Sequence, residues 1–233
     1  MDKIIMIRIG KEKWVEALLN FLAVCLGIAI TFTGDGIISR QREKKEVASS
    51  LTLVKNELED NLSFIEYSDS VFSAIADAAE FLIRYEGNYK AAPYDSLMQY
   101  CNIPLISYEI TYSDEALELL KTSSIFTKIK DLELSLELIH AYGAISDEFK
   151  VIRFFHERKN KYLEDAMSKE VKEILASDNV TAERLWTAIT RGREGRQFIR
   201  ELYRLQSMHD SAPVKEVVNG TISHIDQFLQ DSR

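Results

Sequence analysis

The feature that most constrains this chain is Ala17 to Gly34, ALLNFLAVCLGIAITFTG, where 18 consecutive residues carry no charge between Glu16 and Asp35. As a helix the run is roughly 27 Å long, close to the ~30 Å hydrocarbon core of a bilayer. Asn20 is its only strongly polar residue and lies near one end, within reach of interfacial water. Trp14 stands at the boundary, where an amphipathic ring favours the headgroup level. Three other structures compete for such a run. A core helix of a soluble protein seldom loses polar residues on every face. A signal peptide, with Lys3, Arg8, Lys11 and Lys13 as its basic region, needs a small-residue cleavage site, and here Thr33-Gly34-Asp35-Gly36 follows instead. A lipid-surface helix confines its apolar residues to one face. The run therefore predicts a transmembrane helix over 17–34, preceded by a basic segment over 1–16 and followed by a helical soluble domain over 35–233.

Orientation is balanced: Lys3, Arg8, Lys11 and Lys13 precede the run, and Arg40, Arg42, Lys44 and Lys45 follow it. The second group forms the tight cluster RQREKK, suited to an anionic leaflet. A long C-terminal domain is translocated with little regard to charge, so the side of the membrane stays open. The two cysteines do not reveal a redox compartment, because Cys25 falls inside the run and Cys101 far beyond it; both are expected free.

Net charge is -8 for the whole chain, and residues 17–233 hold 25 basic and 34 acidic side chains. The acidity thus belongs to the soluble part and argues against a nucleic-acid partner. Nine Gly and three Pro are too few for a sandwich or barrel of many short strands.

Helical periodicity dominates the rest. Leu51, Val54, Leu58, Leu62, Ile65, Phe72, Ile75, Ala79 and Leu82 mark one stripe over Val47 to Tyr85. No Gly or Pro lies between Ile37 and Glu86, so this helix is expected to continue from the membrane segment, with Gly34 and Gly36 as the place for a bend. EGNYKAAP breaks the pattern, Tyr94 to Tyr100 reads as a short helix, and Leu105 to Tyr112 as an extended crossover packed on helices. Ser113 is the expected N-cap of a helix reaching about Ser123. Asp131 opens a second long helix to about Met167, with Leu132, Leu136, Ile139, Phe149, Ile152 and Leu163 among its apolar residues and Gly143 inside it. Shorter helices are predicted over 169–176, 181–189 with Thr181 as cap, 194–208 and 214–229. The fold class is all-α: the membrane helix, then an antiparallel bundle built on two long helices.

Chemical motifs are sparse. GxGxxG, GxxxxGK[ST], GxSxG and HExxH are absent, and no Cys/His cluster suits zinc. His140, His156, His209 and His224 are not spaced as helical metal ligands and are expected to be solvated or capping. Arg193, Arg196, Arg200 and Arg204 share one helical face, either paired with acidic side chains or open to a phosphate, an acidic partner or a headgroup surface. Tyr85, Tyr89, Tyr94, Tyr100, Tyr108 and Tyr112 crowd the break between the long helices, where they either plug the crossover or line a small pocket. No catalytic, cofactor-binding or metal-binding residue is assigned, and no cofactor is implied.

Leu26-Gly27-Ile28, Asp35, RQREKKEVASSLTLVKNELEDNL from Arg40 to Leu62, and ALELLKTSSIFTKIKDLELSLELIHAYG from Ala116 to Gly143 together resemble a family of uncharacterised small bacterial single-pass membrane proteins with an all-helical domain. Two features depart from that family's pattern: Asn20 stands where an acidic residue is common, and Gly36-Ile37-Ile38 replaces an aromatic-polar element. The resemblance implies a single-pass anchor with a helical domain and transfers no activity.

These observations lead to the expectation of a membrane-anchored, non-enzymatic interaction or scaffold protein of the cell membrane. Its partners would be the bilayer and either further copies of itself or another membrane protein. A ligand sensor signalling through the anchor helix is the alternative.

Overall fold

An uninterrupted helical sequence produces one very long helix, α1 (Lys11–Arg84), of 74 residues. The structure, a computed structural model, describes residues 11–206 and 209–231, with side chains at Ala23, 39–205 and 209–231. Helical hydrogen bonding continues through Gly34 and Gly36 without a break at the expected bend. The nine residues of the stripe from Leu51 to Leu82 are all buried, as their spacing requires. The helix stops just before Gly87, whose φ of +85° is the left-handed conformation that a side chain disfavours.

The crossover carries α2 (Tyr94–Tyr100), a stretch without regular structure over 106–114 and α3 (Glu115–Thr122), with short 3-10 turns at 89–91, 103–105 and 126–128. α4 (Leu132–Ala166) then opens at Asp131, whose carboxylate accepts from the Leu134 N–H at 3.0 Å. α5 (Lys169–Leu175), α6 (Ala182–Arg191), α7 (Arg193–Gln206) and α8 (Ala212–Asp231) follow, with Ser168 and Thr181 capping α5 and α6 through their hydroxyls. Among the described residues the fold is all-α, with eight helices and no strand.

Three sequence expectations change here. First, the two long helices are not antiparallel. Glu57 meets Tyr142, Phe64 stacks on Phe149 and Phe72 meets Phe155, so the partners advance together and α1 and α4 run parallel. The crossover over 85–131 is long enough to carry the chain back to the start; a short loop would have forced the opposite direction. The antiparallel element is α7 followed by α8, laid end to end against both: Glu86 pairs with Arg200, Asp69 with Lys215 and Lys55 with Asp226.

Second, α4 buries only part of the apolar set read from its sequence: Phe149 and Ile152 lie in the core, but its first two turns present a different row inward. Leu134, Leu138, Ala141, Ile145, Phe149, Ile152 and Phe155 are buried, whereas Leu132, Leu136 and Ile139 are 72%, 60% and 47% exposed. Both rows have helical spacing, so periodicity alone does not choose between them. Third, Ser113 does not cap α3. The cap position is Asp114, without a side-chain bond, and the free amide of Ala116 is taken by Glu57 of α1 at 3.0 Å.

Among the described residues no helix is long and apolar enough to cross a membrane. The side chains of 17–34, Ala23 apart, lie outside the described residues, as do residues 1–10 and the side chains of 11–16 of the basic segment over 1–16.

Candidate functional site

A cluster of ionisable side chains around the buried Glu148 lies where the α7–α8 connection meets the two parallel helices. From α1 comes Asp69, from α4 Glu148, from the connection His209 and Ser211, and from α8 Lys215. Asp69 accepts from His209 Nε2 at 2.9 Å, Ser211 Oγ at 2.5 Å and Lys215 Nζ at 2.6 Å. Glu148 Oε1 lies 3.5 Å from the same imidazole nitrogen. Burial alone would raise Asp69, but the bonds from Lys215, Ser211 and His209 outweigh it and hold the carboxyl below its ordinary value. Glu148 goes the other way: burial pushes it up, against the pull of His209. Two neighbouring carboxyls with oppositely directed shifts around one histidine form an ionic clasp that ties the start of α8 to α1 and α4.

Next to the clasp is a second, drier group. His156 is buried with its ring edge-on to Tyr108, centroids 4.1 Å apart, and burial pushes its pKa down to about 4. Lys159, wholly inaccessible to solvent, donates to the Ile106 carbonyl of the crossover, and burial pushes it down to about 8. Ser68 Oγ, Tyr108 OH, Glu148 Oε1 and His156 Nε2 are buried without a hydrogen-bond partner among the described residues. No set of three or more His, Cys, Asp or Glu among those residues is arranged to hold a metal ion.

Three of the four histidines depart from the solvated or capping role, and His140 keeps it. His156 and the His209 side chain are buried, and only His140 is exposed without a polar contact. His224 lies between two carboxylates, Nδ1 at 2.8 Å from Glu137 and Nε2 at 3.2 Å from Asp131. Glu137 first, and Asp131 after it, raise its pKa. Local sequence does not show these partners, because both come from α4 and its cap, some 90 positions from His224 on α8.

The arginine face of α7 is used largely within the chain. Arg200 pairs with Glu86 at 2.9 Å, Arg196 approaches the same carboxylate at 3.7 Å and bonds the Thr190 and Arg191 carbonyls, and Arg204 lies 3.8 Å from Glu201. Arg193 is exposed. The tyrosine cluster is divided. Tyr85 and Tyr100 pack on Phe81, Tyr108 sits in the buried polar group, and Tyr112 packs on Phe149. Tyr89 and Tyr94 line a cavity of about 500 Å³ between α2 and α6, together with Leu97, Cys101, Thr181 and Leu185. Its wall is fastened by Trp186, which is fully buried and donates Nε1–H to the Cys101 carbonyl at 3.0 Å. The Cys101 thiol is free, and burial raises its pKa.

No family model, curated protein or solved structure matches this chain.

Proposed function

We propose that the chain is a membrane-anchored, non-enzymatic interaction protein, held by residues 17–34 and presenting the helical bundle as a scaffold at the membrane surface. The observation that carries this is the continuity of α1: one helix contains both the uncharged run and the buried stripe of the bundle. A helix shared in this way holds the bundle at a set height and angle instead of tethering it on a flexible linker. The likeness to small bacterial single-pass membrane proteins belongs to the same proposal, as does a partner that is a further copy or another membrane protein.

The test is fractionation of the full-length protein with protease accessibility of a C-terminal tag in sealed vesicles. Resistance to carbonate extraction supports the anchor, and protection or digestion of the tag reports the side of the bundle. Release by carbonate overturns it.

A second reading, a ligand sensor, is favoured by the cavity between α2 and α6, which is large enough for a small molecule and lined by aromatic, aliphatic and polar side chains. A thermal-shift screen that finds a stabilising compound, with the shift lost on filling the cavity by Ala182→Phe, supports this reading; a screen without stabilisation counts against it.

A further inference from the structure

The end of the bundle that adjoins the uncharged run carries a cationic groove on an otherwise acidic protein. Arg40 and Lys44 of α1 line one side, and Lys128 and Lys130, from the turn before α4, line the other. The floor is apolar, made by Val47 and by Phe228 of α8, and the space is about 260 Å³. Glu43 is the only acidic side chain in the lining. Lys128 also reaches Glu46 at 3.2 Å, while Arg40, Lys44 and Lys130 have no ion pair among the described residues. Four cations from segments more than 80 positions apart converge here although the whole chain is net -8, so the fold gathers them against the average field.

Height matters as much as charge. Along α1, Arg40 lies six residues beyond Gly34 and Val47 thirteen, roughly 9 and 20 Å from the end of the uncharged run at ~1.5 Å per residue. The polar layer of a bilayer occupies about the first 7 Å of that interval, and its surface field reaches a further ~8–10 Å. The long side chains of Arg40 and Lys44 reach back from this level toward the phosphate layer, so the basic walls match the phosphate of a lipid headgroup.

We propose that this groove binds the headgroup of an anionic phospholipid, with Arg40, Lys44, Lys128 and Lys130 around the phosphate. The assignment rests on the anchor proposed above, which brings the groove to the leaflet. The phosphate then clamps α1 to the α3–α4 connection.

The test uses full-length protein purified in a zwitterionic detergent, titrated with phosphatidylglycerol, phosphatidylcholine or inorganic phosphate, and bound lipid counted by native mass spectrometry. Phosphatidylglycerol is expected to bind at least tenfold tighter than phosphatidylcholine. Lys44→Gln with Lys130→Gln should weaken it roughly 25-fold, about fivefold per charge. Lys161→Gln with Lys172→Gln, an equal charge change at exposed positions outside the groove, should leave it unaltered. Equal retention in the two double variants overturns the groove. Displacement by inorganic phosphate at the lipid's own concentration overturns the lipid assignment and makes the ligand a free phosphate. Far-UV circular dichroism shows that each variant is folded, and Arg40→Gln alone supplies a milder fivefold test. Carbonate extraction of the same samples reads the anchor separately: release with lipid binding intact removes the anchor and keeps the groove.

Discussion

Replacing Glu57 by Gln removes one charge from the point where the crossover is fastened to both long helices. Its carboxylate accepts from Ser113 Oγ at 2.5 Å, Tyr142 Oη at 2.5 Å and the Ala116 amide at 3.0 Å, and the residue is 9% exposed. The glutamine keeps the shape and one acceptor oxygen but points an NH2 at groups that are themselves donors. Bonds to a charged partner contribute about 1.5–3 kcal/mol each, and an orphaned buried donor costs about 1–3 kcal/mol. Two of the three bonds are weakened or lost, so the expected destabilisation is about 2–4 kcal/mol. For a chain of this size that lowers Tm by roughly 4–16 °C, at about 2–4 °C per kcal/mol. Tyr142→Phe should cost about 1.5–3 kcal/mol, and the two changes together should fall short of additivity by about 1 kcal/mol or more, because both remove the same bond.

The pH dependence follows from the same group. Burial would raise the Glu57 pKa, but Ser113, Tyr142 and the Ala116 and Leu117 amides outweigh it and hold it below 4.5. A carboxyl lowered on folding contributes stability that is full above its unfolded value and is lost as pH falls through its folded one. The contribution of Glu57 should therefore be complete at pH 7 and decline only below about pH 4.5, and Glu57→Gln should flatten that acid limb. Thermal unfolding of the full-length protein, followed by circular dichroism, measures both effects, and hydrogen exchange should show the Ala116 and Leu117 amides losing protection first. A Tm for Glu57→Gln within 2 °C of the parent at pH 7, or strict additivity with Tyr142→Phe, would refute the reasoning.

His224 carries the opposite sign: its pKa is raised by Glu137 and Asp131, so its stabilisation is full below about pH 6.5 and is lost as pH rises through the higher folded value. His224→Ala should remove a decline in Tm that the parent shows above pH 6.5. Lys159, pushed down to about 8 by burial, makes stability rise between about pH 8 and 10.5; Lys159→Met should abolish that rise and increase Tm at pH 7. The glycines separate cleanly in a chemical-denaturation series. A Cβ at Gly195 would lie 1.8 Å from the Ile189 carbonyl oxygen, so Gly195→Ala should cost about 3 kcal/mol or more by forcing α6 and α7 apart. Gly143 faces open space inside α4, and Gly143→Ala should stabilise by about 0.5–1 kcal/mol.

Much of the helical content was legible because it depends on local chemistry. The 3–4 spacing from Leu51 to Leu82 identifies the buried face of α1, and Asp131 and Thr181 identify their own caps, since a cap bonds an amide only three residues away. Where one helix carries two apolar rows, as α4 does with Leu134–Leu138 and Leu132–Leu136, the period is the same and only the neighbours decide which row is covered. The resemblance to small membrane proteins and the run over 17–34 rest on sequence alone. By itself, then, the sequence determined helix positions, the parts without regular structure and the uncharged run, because each is a matter of propensity, capping and period within a few residues. Direction and chemistry waited for the tertiary structure. Glu57 reaching Tyr142 85 positions away, Asp69 reaching Lys215 across 146, and Lys128 and Lys130 closing on Arg40 and Lys44 are encounters between distant segments. No local pattern encodes them, because the free energy that selects them belongs to packing whole helices against one another.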